Sequence, residues 1–420
     1  MKKFFLFASA ALVLASCSSE AEEAVIKPNE TPEEEVLELT EIKLGAGAPT
    51  VSAETRAAVE VNDWSNTPVG IFGVNENASA QENNWSVAPD RNDMEITVEN
   101  AVILLNEPAT VATPSTGGAV TFTNANANKI YFPRGNSKNY GYTFLGYYPY
   151  IEGTTTASAD TIKVTGKFDG TQDIMAGKAA SASGSYNNGI GYNAKYIREY
   201  RAQESNEPNI NIAFEHLTSK IDILLKQEPT NYIQEMCDVY AAWFEVEEDY
   251  TLTFAKPTSG NGVNTSLAFA GDTVKAFAIG GDDFKSTKSY KSGDIVRYTD
   301  GLGNTVYKKF KASHTGDWTG NDVDNFDPIA PETSPSTTHT IFVTPDTQQE
   351  NSGTAYKTLH LVLNDDPSKD ISVKVASPAG GFEAGKAYTV TVTINGPEAI
   401  TVTASITPWQ VVGGTPGVEI

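Results

Sequence analysis

Residues 36–44 read VLELTEIKL. Leu37 and Leu39, then Ile42 and Leu44, alternate with polar side chains, the two-residue period of a strand with one apolar face. The stretch lies in a Glu-rich spacer, residues 18–56, punctuated by Pro28, Pro32 and Pro49, a composition that resists packing. A strand exposes backbone donors and acceptors that need partners. A strand inside a solvated leader therefore predicts a β-rich body that receives it.

Downstream of residue 57 the texture is β. Runs of β-branched and aromatic residues are cut by Gly, Asn, Asp and Pro clusters. They predict strands at 69–74, 101–105, 120–123, 130–132, 142–148, 162–165 and 173–176 in the first half. In the second half they fall at 210–214, 220–225, 250–254, 275–278, 340–343, 358–363, 371–375, 387–393 and 400–406. One helix is predicted, over 231–245, from the side shared by Ile233, Met236, Cys237, Tyr240 and Phe244. Short strands at regular spacing predict an all-β fold of sandwiches. The Asn- and Tyr-rich segment 187–208 reads as a loop between two domains, 57–207 and 208–420.

Upstream, Lys2 and Lys3 precede an apolar stretch from Phe4 to Leu14 and then Leu14-Ala15-Ser16-Cys17. This is a secretory signal, too short to span a bilayer as a mature helix. Cys17 stands where bacterial lipoprotein precursors are cut and acylated, so residues 1–17 read as a lipoprotein signal peptide. The alternative is a plain secretory signal with an incidental Cys. The following Ser18-Ser19-Glu20-Ala21-Glu22-Glu23 resembles the export signal of surface lipoproteins of the Bacteroidota.

The 420 residues carry a formal net charge of −23, which argues against nucleic acid and anionic membrane surfaces as partners. The second of two Cys, Cys237, has no partner once Cys17 is acylated, and reads as a small buried apolar residue. No catalytic pattern stands out. The four His (His216, His314, His339, His360) are scattered, and no His-x-x-x-His pair, Gly-x-Ser-x-Gly elbow, phosphate-cradling glycine loop or Cys-x-x-Cys occurs. His216 reads as a satisfied core or boundary histidine. Asp317, Asn321, Asp322, Asp324 and Asp327 lack the spacing and turn glycine of a calcium loop, and read as a solvated acidic loop. No metal, no cofactor and no enzymatic activity are expected.

Several pieces occur in an order that resembles the fimbrillin family of Bacteroidota, the subunits of type V pili. Thr55-Arg56-Ala57 precedes VGIFGV at 69–74. YFP at 131–133, YTFLGYYPY at 142–150, DIMA at 173–176 and FEHLTSK at 214–220 follow. FEAGKAY at 382–388, VTVTI at 390–394 and ITPW at 406–409 close the series. The resemblance implies two tandem β-sandwich (transthyretin-like) domains, carried to the outer-membrane surface as a lipoprotein. It implies a cut between Arg56 and Ala57 by an arginine- or trypsin-type protease, removing residues 18–56 with their strand, for which Leu37, Leu39, Ile42 and Leu44 are the candidates. A strand from another subunit, in a homo- or heteropolymer, then refills the groove. The other reading of Arg56 is an arbitrary basic residue in a linker. It is the only Lys or Arg between Lys43 and Arg91.

Residues 284–329 depart from that pattern. Tyr290-x-x-Gly293-Asp294-x-Val296-x-Tyr298, then Val306-Tyr307, Gly316 and Trp318, is similar to small chitin-binding modules. Tyr298, Tyr307, Phe310 and Trp318 are the candidate glycan contacts, since exposed aromatic faces stack on sugar rings, although most aromatics of so small a module must build its core. A second Trp, usual near the end of such modules, is replaced by Phe326. Seven Lys and Arg between Lys285 and Lys311 favour an acidic glycan of host or microbial origin. The insert is expected to be removable, since loop length contributes little to stability. The reading is a pilus subunit with an inserted recognition module; the alternative is a lipid-anchored, non-polymerising surface glycan-binding protein in which Arg56 is never cut.

Overall fold

Alternation is written into the strands themselves. NIAFEH at 211–216 buries every second residue, as does SKIDILL at 219–225, whereas VGIFGVN at 69–75 and YTFLGYY at 142–148 are buried throughout and lie mid-sheet. The structure, a computed structural model, describes residues 39–47, 68–75, 84–89, 91–92, 95–96, 100–112, 117–123, 129–133, 141–179, 191–204, 206–227, 237–259, 262–345, 356–364, 366–376, 381–396 and 400–407.

In chain order these form β1 (Leu44–Gly47), β2 (Val69–Asn75), the short pair β3 (Arg91–Asn92) and β4 (Glu95–Ile96), β5 (Val102–Val111), β6 (Gly117–Phe122) and β7 (Tyr142–Tyr148). Then come β8 (Thr155–Ala157), β9 (Thr161–Lys167), β10 (Met175–Ala179), the helix α1 (Ala194–Glu204), β11 (Asn211–His216) and β12 (Ser219–Gln227). A long hairpin, β13 (Val239–Ala255) and β14 (Asn264–Ile279), precedes five short strands: β15 (Ser289–Tyr290), β16 (Ile295–Thr299), β17 (Thr305–Phe310), β18 (His314–Thr315) and β19 (Val323–Asn325). Last come β20 (His339–Val343), β21 (Tyr356–Leu363), β22 (Ile371–Ala376), β23 (Ala387–Ile394) and β24 (Ile400–Thr407).

The fold is all-β, as expected. In the first half, β1-β11-β10-β7-β2-β5-β6 close on themselves as a barrel. In the second, the sheet β20-β12-β23-β24 faces the sheet β22-β21-β13-β9-β8 across a core built from Ile221, Ile223, Leu252, Phe254, Leu361 and Val390.

The sheets do not change over at residue 207. β11 pairs with β10 inside the barrel, and β9, from the first half, pairs with the far end of β13. Phe72 of β2 lies 5.7 Å from Phe254 of β13, ring centre to ring centre, so the two halves share one core.

Two local expectations are corrected. The segment 187–208 contains α1, with Asn193 Oδ1 accepting from the Tyr196 amide as its N-terminal cap, Tyr192 edge-on to Tyr196 and Tyr196 tilted against Tyr200. The predicted helix at 231–245 is instead, from Val239 on, the start of β13. Ala241, Ala242, Trp243 and Phe244 are all buried, and an apolar run covered on both faces has no period to read.

Candidate functional site

β1 is the strand that closes the barrel. It runs parallel to β11, with Gly45 opposite Asn211, and antiparallel to β6, with Leu44 opposite Val120 and Gly47 opposite Gly117. Three backbone hydrogen bonds extend its grip: Ile42 N to Ile130 O at 2.8 Å, Gly45 N to Ile210 O at 2.9 Å and Phe132 N to Thr40 O at 2.9 Å. Thr40, Ile42, Leu44 and Ala46 point inward, each no more than 5% exposed. Ile42, Leu44 and Ala46 join the barrel core of Val111, Phe122, Ile130, Phe132 and Ile212. Outward, a Cβ on Gly45 would stand 2.0 Å from the Asn211 carboxamide oxygen, so glycine lets the Asn211 side chain lie across the strand.

The outward side chains are tied to both walls. Glu41 pairs with Lys129 at 3.3 Å on one side; Lys43 pairs with Glu207 at 2.9 Å on the other. Glu207 also receives Arg201 of α1 at 2.8 Å, and Arg198 of α1 donates to Thr40 Oγ1 at 3.2 Å. Burial pulls the Glu207 carboxyl upward, but its hydrogen bonds from Arg201 and Lys43 outweigh this and hold it below the ordinary glutamate value.

Of the predicted leader-strand residues, Ile42 and Leu44 are buried in this groove. Leu39 is not: it is 40% exposed. The alternation changes phase between Leu39 and Ile42, only one phase can face inward, and the strand takes the even-numbered one. Thr40 and Ala46, which complete that set, were missed, although the period running through Ile42 and Leu44 points to them. The wall residues Lys129, Arg198, Arg201 and Glu207 carry no signal in the sequence. Cys17, Leu37, Arg56 and Ala57 lie outside the described residues.

In the insert, Gly293 adopts φ 96° and the Asp294 carboxylate accepts from the Lys291 amide at 2.8 Å, so the Gly-Asp of the motif builds a turn. Val296, Tyr290, Phe310 and Val323 form a small core on which Phe284 and Trp318 pack. Phe310, 2% exposed, is core and cannot reach a ligand. Tyr307, 3% exposed, stacks on Tyr240 of β13 with centres 5.0 Å apart and planes 9° from parallel, and burial pushes its hydroxyl up to about 12. It joins the insert to β13 of the second-half sandwich and is no glycan contact. Asp283 and Arg297 brace the same joint through a two-pronged ion pair at 2.6 and 3.1 Å. Tyr298 is 36% exposed, and the partly buried Trp318 packs between it and Phe284, 5.0 and 4.1 Å away.

Elsewhere, His216 is buried with Nδ1 against the Asp173 carboxylate, whose other oxygen accepts from Thr218. Cys237 is buried as well. Among the described residues no group of three His, Cys, Asp or Glu side chains is placed to hold a metal ion.

Residues 1–18 match the profile of the prokaryotic membrane lipoprotein lipid attachment site. No curated protein matches the chain. Among solved structures, a candidate cell adhesion protein of Bacteroides uniformis is 17% identical, covers 89% of this chain and 98% of its own, and has a TM-score of 0.44. One from Bacteroides ovatus is 14% identical, with 89% and 99% covered and a TM-score of 0.44. A fimbrial assembly protein of Parabacteroides distasonis is 8% identical, with 88% and 99% covered and a TM-score of 0.34. The fimbrillin-like profile matches residues 55–409, the greater part of the sequence, and the chain belongs to the fimbrillin-like family.

Proposed function

We propose that the chain is a structural and adhesive subunit of a surface pilus, without catalytic activity. It is exported as a lipoprotein acylated at Cys17, held at the outer membrane, cut between Arg56 and Ala57, and assembled by strand addition with further copies or other subunits. One observation supports this above the rest: β1 closes the barrel, and Arg56 lies in the connection between β1 and β2. A single cut there frees β1 from the body. Its departure opens the edges of β6 and β11 and uncovers the site of Ile42 and Leu44, a state that another strand relieves. Arg56→Ala tests it: the variant should stay membrane-bound through Cys17 and be absent from polymers, with an N-terminus that sequencing places at Cys17. Normal assembly of that variant would refute the role of Arg56.

The alternative, a lipid-anchored, non-polymerising glycan-binding protein, draws on the insert at 284–329. Its Tyr298 face, backed by Trp318, is open to a sugar ring. A glycan array on the whole protein, repeated with Tyr298→Ala, addresses this. Loss of a signal would assign binding to that ring; no signal in either protein would leave the insert without a glycan role.

A further inference from the structure

The inward face of β1 does not fix its own register. Thr40, Ile42, Leu44 and Ala46 recur every two residues, so a slip of one position turns them to solvent, but a slip of two keeps them inward. In one slip Gly47 takes the place of Gly45 without a clash; in the other Lys43 does, and its Cβ would meet the Asn211 carboxamide, so shape alone resists only the second. The outward face does differ from site to site. Lys129 on the β6 side meets Glu41, and Glu207 on the β11 side meets Lys43.

We infer that these walls of opposite sign set the register of the strand in the groove, with Glu41 and Lys43 as its positioning residues. A slip that brings residue 46 to the place of 44 puts Lys43 beside Lys129 and leaves Gly45 before Glu207. The opposite slip puts Glu41 beside Glu207, with Leu39 before Lys129. Each wrong register exchanges an attraction for a repulsion or an empty contact, which is selection by penalty. Thr40 adds an anchor through Arg198. The same walls face any strand that takes the place of β1, and favour an extended segment with an acidic residue followed two positions later by a basic one. That last consequence rests on the strand-addition reading; the register of β1 does not.

The test uses the full chain. Residues directly opposite on antiparallel strands approach disulfide geometry when both are cysteine. Leu44→Cys with Val120→Cys reports the native register, Leu44→Cys with Phe122→Cys one slip, and Leu44→Cys with Gly118→Cys the other. In the parent the 44–120 bond should dominate. Adding Glu41→Lys and Lys43→Glu should lower it roughly threefold or more and raise 44–122 or 44–118. Restoring the match at one wall, with Lys129→Glu, should recover part of the native bond. Hydrogen exchange at the Ile42 and Gly45 amides, without introduced cysteines, should quicken in the same charge-swapped chain. If that chain keeps the 44–120 bond and the slow amides of the parent, the walls do not set the register. That outcome would leave maturation and assembly, read from Arg56→Ala, untouched.

Discussion

Leu44→Ala probes whether the barrel depends on its leader strand. Leu44 is 5% exposed, faces Val120 across the strand pair and belongs to the barrel core. Truncating a buried leucine removes its transfer energy and leaves a cavity, together about 2–5 kcal/mol. A strand at the seam relaxes more easily than a central one, so about 2–3 kcal/mol is expected. Leu39→Ala is the control: at 40% exposed it should change stability by less than about 0.5 kcal/mol. Urea unfolding of the uncut chain reads the difference. With a slope of about 3 kcal/mol per molar, the Leu44→Ala midpoint should fall by roughly 0.7–1 M while that of Leu39→Ala stays put. In the chain cut at Arg56, the same loss should weaken retention of the leader strand roughly 30- to 140-fold. Equal midpoints for the two variants would refute the docking of β1 through its even-numbered face.

Three further outcomes are expected. Tyr307→Ala should destabilise the protein by about 3 kcal/mol by hollowing the joint with Tyr240, whereas Tyr298→Ala should stay within about 0.5 kcal/mol in thermal or chemical melts. Because the joint is buried, replacing 284–329 with a short linker should lower stability, against the expectation of a freely removable insert; an unchanged melt would show that the joint adds nothing. The Glu207 carboxyl is held below its ordinary value of 4.5, so its contribution is present above that value and lost as pH falls through the lower folded one; leader-strand dissociation from the cut chain should quicken there, and Glu207→Gln should flatten that dependence.

Much of the strand pattern was legible because periodicity is local. β11, β12 and β23 carry their burial in every second letter. Where both faces are covered, as in VYAAWF at 239–244, the period vanishes and the helix and strand readings cannot be told apart from the letters. The helix α1 was hidden for a related reason: its buried side is short, Ala194, Tyr196 and Ile197, and it follows an Asn-rich stretch that reads as loop. The glycan candidates divided in the same way. Tyr298, Tyr307, Phe310 and Trp318 are alike as letters, but β16 and β17 turn alternate positions to opposite faces, and only the second sandwich, through Tyr240, covers the face bearing Tyr307.

By itself the sequence determined the all-β class, the lipoprotein signal over residues 1–18, the isolation of Arg56 and a strand carrying Ile42 and Leu44 ahead of the body. Each of these is written in neighbouring residues. Only the tertiary structure decided that this strand takes its even-numbered phase, closes a barrel parallel to β11, and sets Glu41 against Lys129 and Lys43 against Glu207. Lys43 and Glu207 stand 164 positions apart, and Lys129 and Glu41 stand 88 apart. Contacts of that range arise when sheets close, from the pairing of whole strands, and no local period encodes them.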